Sequence, residues 1–331
     1  MSFKRLDPED FLVSIDSVTA TAWSTNNPTL TAFFTSSIAT TNDSYYKNVY
    51  QTGSTASGSG VQFAIAYGNK QGSGSANFND LVPGVSPTRT VYGQYRNLVY
   101  GDENAQFIFG TVTASDFWAI SIDRARYKEH LLKGTFNIKL SGSTVLQLTD
   151  NSGMVSTDTY LDCGRVYQII SGSNGTSFNG GNGYSASSGS YGLFLPDIAT
   201  IILNPLALSQ SINLTPSRSS DIDGDNTGIL FRAISGSGAA SFQVNSEETV
   251  SSDYVFVRAR NAEFNYSENP SFISGSTGDV IYSVFINSPQ TYMTTVGFYN
   301  DTNDLLAVAK LSKPLVKDFT KESLVRVKLD F

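Results

Sequence analysis

Between Tyr254 and Phe331 the chain repeatedly shows a two-residue period, and this constrains its fold more than any other feature. Tyr254, Phe256, Arg258 and Arg260 alternate with Val255, Val257 and Ala259, which places the two sets on opposite faces of a pleated strand. Val296–Tyr299 and Leu305–Leu311 flank Asn300-Asp301-Thr302-Asn303-Asp304. Two apolar runs around an Asx-rich cluster predict a hairpin. From Leu324 onward the alternation returns, with Leu324, Arg326, Lys328 and Asp330 on one face and Val325, Val327, Leu329 and Phe331 on the other. A chain patterned in this way is expected to be mainly β, built as antiparallel sandwich-like or barrel-like domains with a few short helices.

Upstream, Val61–Tyr67 (VQFAIAY) alternates cleanly, Phe107–Ile122 reads as strands, and Thr135–Leu148 reads as a hairpin turning at Ser141-Gly142-Ser143. Asp7-Pro8 suits the start of a short helical turn. Helix signals are otherwise sparse. Ser86-Pro87-Thr88 precedes Val91, Tyr95, Leu98 and Val99 at helical spacing, and Asp123–Lys133 (DRARYKEHLLK) carries helix formers up to Gly134. The run Ser171–Ser190 (SGSNGTSFNGGNGYSASSGS) has too little apolar surface to offset the entropy of ordering it. It is therefore expected to be a linker or long exposed loop at 171–190, between β-rich domains at 1–170 and 191–331.

Composition narrows the function. Charged residues are 15% of the 331, hydrophobic residues 40%, and the net charge is −7. An acidic chain is a poor partner for nucleic acid, whose phosphates are met by clustered Lys and Arg. The cations Lys310, Lys313, Lys317 and Lys321, followed by Arg326 and Lys328, form a basic end on this acidic body. They are the candidate partner-binding residues, with a solvated strand face as the alternative. The start, MSFKRLDPEDF, has no apolar core of a secretory leader. The longest apolar run, Leu193–Leu208, is broken by Pro196, Asp197, Asn204 and Pro205, so no membrane insertion is expected.

Catalytic constellations are hard to assemble from these residues. One histidine, His130, and one cysteine, Cys163, leave no multi-histidine metal site and no zinc set. Cys163, beside apolar residues, reads as a small packed side chain. Asp221, Asp223 and Asp225 resemble the first half of a calcium loop, but Asn226 and Arg232 stand where such a loop needs Gly and Glu. An Asx-rich turn is the commoner use of such a string. No nucleotide-binding glycine motif occurs, so neither a cofactor nor an enzymatic activity is expected. Tyr45-Tyr46 and the Tyr92, Tyr95, Tyr100 group could stack on sugars, although packing is the commoner role of such rings.

The strings FVRARNAEFNYSENPSF, TTVGFYNDTNDLLAVAKLSKPL and KESLVRVKLDF, with FKRLDPEDF, DRARYKEHLLKGTF and YGLFLPDIATIILNPLAL upstream, resemble a virion structural protein of contractile-tailed phages of cyanobacteria and related marine bacteria. The resemblance spans most of the chain and carries no catalytic residues. It implies a tail or baseplate component assembled in the host cytoplasm, contacting other virion proteins in multiple copies around a symmetry axis. The alternative is a tail module that recognises host-surface glycan.

Overall fold

The computed structural model describes residues 3–35, 46–53, 56–57, 59–72, 74, 87–217, 223–236, 238 and 240–330. The chain is mainly β, with antiparallel sheets and a few short helices. It divides into two compact units. One is Val18–Glu248; the other is discontinuous, Met1–Ser17 with Thr249–Phe331.

The unit Val18–Glu248 is organised by one large sheet. Its central strands run in the order Asn137–Ser141, Val145–Asp150, Gly164–Ser173, Gly192–Leu195, Thr200–Leu203, Asp116–Ile122, Val61–Asn69 and Tyr46–Tyr50. Registers align apolar side chains in rows that cross it. On one face Tyr167 opposes Phe194, Phe194 opposes Ile201, Ile201 opposes Ile120, and Ile120 opposes Ile65. On the other, Leu193 opposes Ile202, Ile202 opposes Ala119, and Ala119 opposes Ala66. The first face is covered by α2 (Pro205–Ile212) and α3 (Asp223–Ser235), the second by α1 (Thr88–Tyr100) and the Phe107–Phe109 strand. Covering both faces explains why Leu193–Leu203 reads as a nearly continuous apolar run instead of an alternating one.

Each helix follows from local chemistry. Helix α1 follows Pro87 and stops at Gly101, whose positive φ of 62° turns its N–H onto the Asn97 carbonyl. Its buried side carries Val91, Tyr92 and Val99 with Tyr95 half-buried, whereas Leu98, expected on that side, is exposed. In α2, Asn204 caps the first turn by accepting from the Leu206 N–H at 3.0 Å.

Two expectations from the sequence are corrected in this unit. The Asp123–Lys133 stretch is a single 3₁₀ turn, Arg124–Arg126, followed by the short strand His130–Leu131, not a helix. An isolated eleven-residue helix is marginal in water. Here the chain instead buries Leu131 and pairs His130 and Leu131 with Glu247 and Ser246.

The Gly/Ser-rich segment 171–190 does not separate two domains; it lies inside Val18–Glu248. Ser171 N–H donates to the Gly183 carbonyl at 2.9 Å, and the buried Asn204 amide donates to the carbonyls of Ser188 and Ser190, both at 2.8 Å. Two of its glycines serve close approach. A Cβ on Gly189 would run into the Phe109 carbonyl, and one on Gly172 into the Thr176 carbonyl. Composition reported the scarcity of side-chain surface correctly, but backbone packing replaced it.

In the other unit the long strand Asn245–Ala259, which begins in the first unit, pairs with the C-terminal strand Ser323–Asp330, from Ser252 opposite Asp330 to Ala259 opposite Ser323. The N-terminal strand Phe11–Thr21 lies on the other side of the long strand. Thr291–Tyr299 and Leu305–Lys317 form the expected hairpin, closed by Asn300, whose Oδ1 accepts from the N–H groups of Thr302 and Asp304 at 3.0 and 2.7 Å. The Pro8–Asp10 turn forms as the sequence predicts. Just before it, Lys4 reaches Glu263 at 3.1 Å and Phe3 packs edge-on against Tyr299.

Candidate interaction surface

The most unusual feature of Met1–Ser17 with Thr249–Phe331 is what it leaves uncovered. In the N-terminal strand, Phe11, Leu12, Val13 and Ile15 are 50–71% exposed. Because neighbouring side chains on a strand point to opposite faces, both faces of this strand meet solvent. The hairpin repeats the pattern at Tyr292, Leu305, Leu306 and Val308, and Val284 and Ile286 of the short helix α4 (Val284–Asn287) are also exposed. Edge strands that present apolar side chains and open backbone groups are templates for pairing with another chain.

The four lysines proposed from the sequence separate into two kinds. Lys310 and Lys313 are exposed on the Leu305–Lys317 strand; Lys321 is exposed beyond it and lies 3.7 Å from Asp318. Lys317 is fully buried and is not available to a partner. Its ammonium donates to the carbonyls of Asn261 and Asp318 at 3.0 and 2.9 Å and to Asn265 Oδ1 at 2.9 Å. Three donors meet three acceptors, which is the full hydrogen-bonding capacity of an ammonium group. The charge therefore fastens the end of the hairpin to the turn after the long strand. Sequence spacing placed Lys317 with its neighbours, and only the tertiary contacts with Asn261 and Asn265 distinguish it.

An open cleft of about 380 Å³ runs between this hairpin and the C-terminal strand. It is lined by Phe298, by residues 307–311 of one strand and by residues 325–329 of the other. Five consecutive residues can line a cleft from a strand only when its edge faces the opening, since alternate side chains point away from each other. Two strand edges thus face one another across the space.

The remaining candidates fall elsewhere. Asp221 lies outside the described residues, while Asp223 and Asp225 belong to the first turn of α3 and not to a loop. That helix docks Leu230, Ala233 and Ile234 on the sheet, and Asn226 accepts from the Trp118 indole at 2.9 Å and from the Ser217 N–H at 2.7 Å. These contacts extend the helix back into the acidic string. Among the described residues no three His, Cys, Asp or Glu side chains are grouped as metal ligands would be. Tyr92, Tyr95 and Tyr100 pack around Phe107 and Phe117; Tyr92 is buried, Tyr95 and Tyr100 are half-buried, and Tyr95 also lines a small hollow with Tyr46. Tyr46 is exposed, and Tyr45 lies outside the described residues.

His130 gains a partner that sequence separation concealed, Glu247 at 3.0 Å from Nε2. The pair lies where the His130–Leu131 strand joins the long strand. Burial pushes the Cys163 thiol up to about 11, so it stays protonated and is a poor nucleophile at neutral pH. No helix among the described residues is long and apolar enough to cross a membrane. No family model matches the chain, and no match is found among curated proteins or solved structures.

Proposed function

We propose that this chain is a structural component of a phage virion, of the contractile tail or baseplate, and that it acts by assembling with other virion proteins. The observation that carries the reading is the two-sided exposure of Phe11, Leu12, Val13 and Ile15 on an edge strand, repeated at Leu305, Leu306 and Val308 of the hairpin. A solitary protein gains nothing from such strands, whereas an assembled one buries them and adds their open edges to neighbouring sheets. The resemblance of FVRARNAEFNYSENPSF and KESLVRVKLDF to a contractile-tail virion protein supplies the kind of assembly. Copies repeated around an axis, formed in the host cytoplasm, are the setting this implies. No catalytic step and no cofactor are assigned to it.

The alternative of host-glycan recognition is weakened because Tyr92, Tyr95 and Tyr100 are engaged in packing. The test is to locate the protein in purified particles by mass spectrometry and then in their density, with a glycan array run in parallel. Presence as an ordered, repeated density supports the reading. Absence from particles, or saturable glycan binding by a protein peripheral to them, overturns it.

A further inference from the structure

We infer that the cleft between the Leu305–Lys317 and Ser323–Asp330 strands receives an extended segment of a partner polypeptide in which apolar and acidic side chains alternate. Among the described residues the first strand pairs only with Thr291–Tyr299 and the second only with Asn245–Ala259, so each keeps one open edge. Residues 307–311 and 325–329 bring those edges to the same opening. An inserted strand would satisfy both rows of backbone groups at once, which a small apolar ligand could not do.

The side chains specify its pattern. Ala307, Ala309 and Leu311 are half-buried, as are Val325 and Leu329, with Val327 buried between them. Lys310, Arg326 and Lys328 are exposed and alternate with these apolar positions. Among the described residues that line it are the cations Lys310 and Arg326 and no carboxylate. Arg326 is held in place over the Tyr254 ring, 5.4 Å from its centroid. A strand lying between these edges therefore meets apolar residues on its covered face and positive charge on its open face. Alternating apolar and acidic residues match both.

The inference rests on the assembly reading for the partner's identity, but the cleft can be tested alone. The probe is a labelled peptide of about seven residues alternating valine and glutamate, enough to span five lining residues at about 3.3 Å each. It is titrated into the full-length protein and followed by anisotropy. Saturable one-to-one binding that weakens with added salt is expected. A valine–lysine peptide and a valine–glutamate peptide N-methylated at alternate amides should both fail to bind. Lys310→Glu should weaken the acidic peptide by about tenfold while leaving the melting temperature of the protein unchanged. Equal binding of the N-methylated peptide would show adsorption by charge alone and overturn strand insertion. Absence of uptake of the acidic peptide, whether the protein is monomeric or self-associated, overturns the inference entirely. Peptide uptake by a protein absent from particles would sink the assembly reading and leave the cleft standing.

Discussion

The two units handle the same material in opposite ways. In Val18–Glu248 the central strands are apolar on both faces, and both faces are covered: Ile201 and Ile202, adjacent in sequence, are fully buried in different cores. In Met1–Ser17 with Thr249–Phe331, Phe11 and Leu12 are likewise adjacent and apolar, yet both are open to solvent. A strand apolar on both faces is at equilibrium only when something lies on each face. One unit supplies those layers itself, from three helices and the Phe107–Phe109 strand. The other leaves Phe11, Leu12, Val13 and Ile15 open to solvent, the surface on which the proposed assembly depends. Covered and open strands thus fall in different parts of the chain, and the two units should respond differently to perturbation.

The largest effect should come from deleting Leu324–Phe331. This removes nearly the whole register against the long strand, together with buried Val327 and half-buried Val325 and Leu329. Near-complete burial of such side chains is worth about 1.5–3 kcal/mol each, and the unit has few others. The discontinuous unit should lose cooperative melting while Val18–Glu248 keeps its own transition in calorimetry. Loss of both transitions would mean that the units are one folding body and would break the comparison.

Next in size is Trp118→Ala, which empties a fully buried site packed against Tyr67. A loss of about 3–5 kcal/mol is expected in urea unfolding of Val18–Glu248. The same truncation at exposed Val308 should change stability by less than about 0.5 kcal/mol. The difference between these two values measures how completely one unit covers itself.

Lys317→Met sharpens the contrast within the second unit. It strands the buried Asn265 Oδ1 and the partly buried carbonyls of Asn261 and Asp318, at a cost of roughly 1–3 kcal/mol. Lys310→Ser, on the same strand, should melt like the parent but enter particles poorly. A normal melt for Lys317→Met would show that its pocket admits water.

The smallest effect concerns pH and belongs to Val18–Glu248. Burial alone would raise the Asp197 carboxyl, but Arg165, donating from Nε at 3.0 Å and from its backbone N–H at 2.7 Å, holds it below its ordinary value. A depressed carboxyl adds stability that is fully present above its unfolded value and is lost as pH falls through the folded one. Arg165→Met should therefore flatten the acid limb of a stability–pH curve for this unit. An unchanged limb would assign the slope to other carboxyls.

Much of the architecture was legible because strand periodicity is local. The hairpin around Asn300, the Val61–Asn69 strand and α1 follow from patterns readable within a dozen residues. The readings that failed depended on partners far away in sequence. Asp123–Lys133 carries helix formers, and its strand pairing with Ser246 and Glu247 lies more than a hundred residues off. The 171–190 run reads as a flexible linker until Asn204 is placed against Ser188 and Ser190 and Phe109 against Gly189. On the interaction surface, the sequence located the basic strand and its apolar neighbours but gave Lys310 and Lys317 the same role.

By itself, the sequence determined that the chain is mainly β, where its principal turns fall, and that its C-terminal strands carry cations beside apolar residues. These are properties of side-chain order along the chain, and a period of two expresses them directly. Only the tertiary structure decided which apolar strands are covered and which are open, which lysine is buried, and that two strand edges border one cleft. Burial and edge exposure are relations between segments distant in sequence, so no stretch of the chain can carry them alone.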